Sequence, residues 1–247
     1  MIEVEGFTKD YDRFRAVADL SFAVPPGEIL GLVGPNGAGK TTTLRAIAGI
    51  LRPTRGSIHV AGHDVEREPV AAKRALAYVP DTPHPFDLLT VREHLRFTAL
   101  AYEVEGAEER ARSLLSELDL LGKQNDLAAT LSRGMQQKLA IACAFLREPK
   151  AILLDEPLTG LDPCGIRDMR ESIRGRAEAG AAVLISSHLL ELVEKLCHRI
   201  LILHRGARLA LGTLVEIRSA AAIRGDATLE EAFFAITERG EPEAPAP

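Results

Sequence analysis

Residues 28–41 read EILGLVGPNGAGKT. A nearly unbroken apolar run ends at Gly34, a glycine-rich turn follows, and a lysine and a hydroxyl residue open the helical pattern TTLRAIAGIL at 42–51. The stretch fits G-x-x-x-x-G-K-[ST] in the strand–loop–helix setting that gives the motif meaning. Gly34, Gly37 and Gly39 free the backbone to curl, so that successive N–H groups can point at phosphate oxygens. A helix starting near Lys40 adds its positive end. Lys40 would then reach the β- and γ-phosphates, and the Thr41 hydroxyl would hold Mg2+.

Three further runs have the same character: AILLDE (151–156), AVLISSH (182–188) and RILILH (199–204). They do not alternate with polar residues, which is the pattern of strands covered on both faces. Polar residues stand at the C-terminal ends: the glycine loop, Asp155–Glu156 and His188. Open α/β sheets bind ligands at that edge. A carboxylate ending a buried strand needs a cation, so Asp155 is predicted to face Mg2+. Glu156 points elsewhere and is predicted to orient and deprotonate a water. His188 has two readings, a packed structural group or a donor to the γ-phosphate; its place on the shared edge favours the second.

Around this core, IEVEGF and AVADLSFAV alternate apolar and polar residues, and GSIHVAG adds a third segment, predicting a half-exposed antiparallel sheet. Between Pro80 and Pro149 strand signal is scarce. A capping box from Thr90 to Glu93 opens VREHLRFTALAY, and a second helix is predicted over about 107–121. The reading is a helical subdomain inserted at about 82–148 within one domain covering 1–237. A last capping box, Thr228 to Glu231, opens LEEAFFAI. The proline-rich, polar end, 238–247, is expected to be a disordered tail.

Composition narrows the function classes. Of 247 residues, 46% are hydrophobic and 26% charged, with a net charge of −5, so the basic excess of a nucleic-acid surface is missing. No apolar run approaches the roughly 20 residues needed to cross a bilayer. The opening MIEVEGFTKDY is acidic and strand-like rather than a secretion signal, which leads to the expectation of a cytoplasmic protein. Cys143, Cys164 and Cys197 are far apart and are expected to be buried thiols. His59 and His63 flank Gly62 without a third ligand, a weak basis for a metal site.

LSRGMQQKL at 131–139 remains. Ser132 suits an N-cap, and Leu139, Ala142, Cys143, Phe145 and Leu146 recur at helical spacing. One reading is an ordinary surface helix. The sharper one is a helix N-terminus aimed at an anion, with Arg133 as added charge.

Taken in order, these segments resemble the nucleotide-binding subunit of an ATP-binding cassette (ABC) transporter, over about residues 2–237. GPNGAGKT resembles its Walker A motif, AILLDE its Walker B motif with the catalytic glutamate, and LSRGMQQKL its signature motif, usually LSGGQ. TGLD (159–162) resembles the D-loop and His188 the switch histidine, while Tyr11 matches the position that stacks on adenine. The tail segments RGARLALGT and LEEAFF are like those of single-cassette subunits serving bacterial export-type permeases.

The resemblance implies an α/β P-loop NTPase of ABC type. Its mostly parallel core sheet is flanked by helices, with an N-terminal antiparallel subdomain and the helical insertion. It implies ATP and Mg2+ as cofactors, with Gly34, Asn36, Gly37, Gly39, Lys40, Thr41 and Thr42 around the phosphates. Ser132 and Gly134 would face the ATP of a second cassette, and Asp162 would lie at the junction between cassettes. It further implies an integral membrane permease as partner and a place on the inner face of the cell membrane. Three residues depart from the family pattern: Arg133 stands for a glycine, Met135 for a glutamine, and Asp81, in YVPDTPHPF, for a glutamine that touches Mg2+ or the attacking water. For Asp81, metal contact and a solvated loop carboxylate both stay open. Phe86, Leu88 and Leu89 either line the cleft for a permease helix or pack within the cassette. The alternative function is a soluble cassette ATPase serving as an assembly scaffold or regulator.

Overall fold

The computed structural model describes residues 1–12, 14–223 and 227–239. Strands β1 (Ile2–Tyr11) and β2 (Phe14–Val24) form a hairpin, and β3 (Ile29–Val33) runs into the glycine loop ahead of α1 (Lys40–Ile47). β4 (Arg55–Val60), the short β5 (His63–Asp64), α2 (Pro69–Ala75) and β6 (Leu76–Val79) follow. Helices α3 (Val91–Tyr102), α4 (Ala107–Glu117) and α5 (Arg133–Phe145) then precede β7 (Ala151–Asp155). The rest is α6 (Pro163–Glu178), β8 (Ala182–Ser186), α7 (Leu190–Leu196), β9 (Arg199–His204), β10 (Ala207–Gly212), α8 (Leu214–Ala220) and α9 (Leu229–Arg239).

Two sheets result, ordered β2-β1-β4-β5 and β10-β9-β3-β8-β7-β6. The first is antiparallel throughout. In the second, β9, β3, β8, β7 and β6 are parallel and β10 closes one edge antiparallel.

The continuous apolar runs follow from burial on both faces. In β7, Ile152 and Leu154 pack with the inserted helices, while Ala151 and Leu153 pack toward the antiparallel sheet. Val183 and Ile185 of β8 divide from Ala182 and Leu184 in the same way. The strand LAYV (β6) and the edge strand ARLALG (β10) are additions to what the pattern predicted.

Both predicted capping boxes form. The Thr90 hydroxyl accepts from Glu93 N–H, and Glu93 Oε2 accepts from Thr90 N–H at 2.8 Å. Thr228 and Glu231 make the same reciprocal pair, with the Glu231 carboxylate accepting from Thr228 N–H at 2.7 Å. α9 carries the chain through Glu238 and Arg239, two residues into the predicted tail; 240–247 lie outside the described residues. Cys143 and Cys197 are half-buried rather than fully enclosed, and desolvation pushes the Cys143 thiol up to about 11 and the Cys197 thiol higher still, so both stay protonated at neutral pH. Cys164 corrects the expectation, because it sits in the first turn of α6 and is exposed.

Candidate nucleotide site

Parallel pairing of β3, β7 and β8 brings their C-terminal ends to one edge. There the loop from Gly34 to Gly39 is tightly packed. A Cβ on Gly34 would lie 2.3 Å from the Leu203 carbonyl oxygen. Gly39 has φ +104°, and a Cβ on it would meet the Ala16 carbonyl oxygen at 2.8 Å. No acidic residue occupies the first turn of α1, so its positive end is not neutralised locally. Lys40, almost wholly buried, folds back to donate to the carbonyls of Gly34 (2.6 Å) and Pro35 (3.2 Å). Burial holds its ammonium below the usual lysine range, and the carboxylates of Glu156 and Asp155 oppose that shift. Thr41 and Thr42 are half-buried in the same turn, and Asn36 and Gly37 are exposed at the loop tip.

Asp155 ends β7 and is only 2% exposed. One oxygen accepts a short hydrogen bond, 2.5 Å, from the Ser186 hydroxyl of β8. Glu156 turns sharply away with φ +49°. That left-handed conformation costs a non-glycine residue about 1–2 kcal/mol, and the Glu156 N–H is held there by the Ser186 carbonyl at 3.0 Å. The Glu156 carboxylate accepts from the His188 backbone N–H (3.2 Å) and lies 2.8 Å from His188 Nδ1. A carboxylate can only accept there, so Nδ1 carries a proton directed at Glu156. Ser186, which ties Asp155 and Glu156 to β8, was missed in the sequence; the hydroxyl ending an otherwise apolar run was its signal.

The other predicted positions are distributed around this centre. Tyr11, 42% exposed, ends the hairpin whose second strand covers Gly39 through Ala16 and Val17. Ser132 caps α5, its hydroxyl accepting from Met135 N–H at 3.3 Å. Gly134 packs on the 159–162 loop rather than on the phosphate loop: a Cβ there would meet the Gly160 carbonyl oxygen at 2.9 Å. Gly134→Ala is therefore expected to overpack this contact by about 1–3 kcal/mol, lowering Tm by roughly 2–12 °C; a thermal melt checks it. Asp162 caps α6, Oδ1 accepting from Gly165 N–H at 2.9 Å. Asp81 pairs with Arg133, Nη2 to Oδ1 3.6 Å.

His94 organises the 86–89 turn. Phe86 N–H donates to its Nε2 at 2.9 Å, and its Nδ1 donates to the Thr90 carbonyl at 2.9 Å. The ring stacks on Phe86, which meets Phe97 edge-on at 5.6 Å between centroids.

These groups fit a nucleoside polyphosphate. A loop with no room for a Cβ at Gly34 or Gly39, a buried lysine and an open helix N-terminus suit phosphate, while a buried carboxylate and the Thr41 hydroxyl at the same sheet edge suit a cation. Among the described residues no cluster of three His, Cys, Asp or Glu could hold a metal alone. Mg2+ bound with phosphates and waters commonly takes one or two protein oxygens, and Thr41 and Asp155 supply that number.

Fold and site together define a P-loop nucleotide-binding cassette. The sequence model of the ABC transporter family matches residues 17–159, and the chain belongs to that family as an ATP-binding subunit. It is 38% identical over 239 residues to EcsA, an ABC-type transporter ATP-binding protein of Bacillus subtilis, covering 96% of each chain. LnrL, a linearmycin resistance ATP-binding protein of the same organism, is 33% identical over 240 residues, 96% of this chain and 76% of LnrL. Among solved structures, an ATP-binding subunit of an ABC transporter superposes with a TM-score of 0.92 at 38% identity, covering 96% of this chain and 99% of the other. The ADP conformation of the cassette MJ1267 gives 0.74 at 26% identity, with 87% and 92% covered.

Proposed function

We propose that this chain binds and hydrolyses ATP to power a separate integral membrane permease, working as an exporter through ATP-dependent closure of two cassettes. The observation that carries the reading is the junction of the three strand ends, where Glu156 and His188 stand 2.8 Å apart beside the phosphate loop. Lys40 and the loop N–H groups hold the phosphates. Glu156 takes a proton from the attacking water, and His188, held on Glu156 through Nδ1–H, donates from Nε2–H toward the γ-phosphate when its ring is doubly protonated. Thr41 and Asp155 would hold Mg2+, which would supply positive charge against the phosphate oxygens. Ser132 and the first turn of α5 meet the ATP of the second cassette. Resistance, the role in LnrL's name, is one an exporter serves.

Among the described residues no helix is long and apolar enough to cross a membrane, so the permease is a separate chain or segment. Its docking surface is the exposed apolar group formed by Phe86 and Leu88 of the 86–89 turn with Phe97 and Leu100 of α3, Leu88 being 85% and Leu100 71% exposed. Leu88→Asp with Phe97→Asp is expected to abolish permease co-purification with only a small loss of Tm in the isolated chain, since Leu88 faces solvent and Phe97, about half exposed, gives up one edge-on contact with Phe86. Affinity purification of the tagged protein from its native host in mild detergent tests the whole reading. A multi-spanning protein at comparable stoichiometry supports it; soluble partners alone, with none of the chain on membranes, would replace it with the scaffold reading.

A further inference from the structure

Two of the departures from the family pattern meet in space. Arg133 opens α5 of the inserted helices, and Asp81 follows β6, the edge strand of the core sheet. Their contact therefore bridges the core and the helical insertion. The Arg133 stem lies against the 159–162 loop, its Cδ 3.9 Å from where a Gly160 Cβ would sit. The Arg133 side chain is 59% exposed, and its guanidinium meets an Asp81 side chain that is 49% exposed, at 3.6 Å.

Such a pair is easily broken, since exposed ion pairs are weak and screened. The guanidinium also stands one residue after Ser132, at the helix end expected to face a phosphate. A polyphosphate offers more negative charge and a bidentate geometry that a lone carboxylate at this distance does not. We propose that Arg133 exchanges partners, held by Asp81 in the open chain and transferred to the γ-phosphate of the second cassette's ATP on closure. Asp81 is then a competitor for Arg133, and its release frees the loop that leads to Phe86 and Leu88. This rests on the two-cassette reading above.

The test uses the full chain carrying Glu156→Gln, to stop turnover, with ATP-dependent dimerisation followed by light scattering. Arg133→Gly should weaken the dimer. Asp81→Asn should strengthen it, by about 1.5- to 5-fold per site, hence roughly 2- to 25-fold in the dimerisation constant because a closed dimer has two sites. In the Arg133→Gly background Asp81→Asn should change nothing, and Asp81→Gln should behave like Asp81→Asn. Fluorescent-ATP binding to the dilute monomer should be equal in all variants. Weakened monomer binding in Asp81→Asn whatever stands at 133 would assign Asp81 to the metal and overturn the exchange. So would an Asp81 effect of equal size with and without Arg133. If the Glu156→Gln chain binds ATP but never dimerises, the two-cassette reading fails and the exchange fails with it.

Discussion

Glu156→Gln will bind ATP as well as the parent chain and turn it over about 10²- to 10⁴-fold more slowly. Glutamine keeps the length and shape of glutamate and can still accept from the His188 Nδ1–H now directed at Glu156 Oε2. The backbone at φ +49° is set by Ser186 and is equally open to either residue. The change removes the capacity to take a proton from water, together with one negative charge that acts on the Lys40 ammonium. Asp155, Lys40 and the phosphate loop, which bear on binding, keep their places. Phosphate release under single-turnover conditions, set beside equilibrium nucleotide binding, measures both quantities. Turnover within a factor of about ten of the parent would remove Glu156 from the role of base.

The legible part of this molecule was the part in which chemistry and burial are local. β3, β7, β8 and β9 announced themselves because neighbours along each strand are buried on opposite faces, leaving no polar gaps. β6 escaped because its four residues lie between a helix and Pro80, too few to establish a pattern. β10 escaped because it is an edge strand with mostly half-exposed residues. The phosphate loop, Asp155, Glu156 and His188 were readable from their place at strand ends. Their mutual arrangement was not: Glu156's left-handed turn and the Ser186 bond to Asp155 depend on which strand lies beside β7. The Arg133–Asp81 contact was equally invisible. Each residue departed from a pattern by itself, and only the approach of α5 to the end of β6 makes them partners. The role of His94 was not legible, because nothing local distinguishes a histidine that holds a turn from one that fills a gap.

Lys40→Met should leave a folded chain whose affinity for ATP has fallen by about 10²-fold or more. The side chain is buried in a loop whose carbonyls it already engages, at 2.6 Å from Gly34 and 3.2 Å from Pro35. Hydrogen bonds to a charged partner contribute about 1.5–3 kcal/mol each, so losing two to phosphate oxygens corresponds to at least the stated factor. Methionine fills similar volume without a charge, which removes the burial penalty borne by the ammonium and limits the effect on the fold. The direction of the Lys40 shift adds a pH signature. Burial lowers the pKa, so the folded chain releases this proton at a lower pH than the unfolded chain does. Between the two values the unfolded chain binds more protons, and the nucleotide-free fold gains stability as pH rises through that window. ATP requires the charged form, so affinity moves the opposite way, falling as pH climbs toward the lowered pKa. In Lys40→Met both trends should vanish together, as measured by Tm without nucleotide and by equilibrium binding across alkaline pH. Retained ATP affinity in that variant would mean that the loop N–H groups and the end of α1 hold the phosphates unaided.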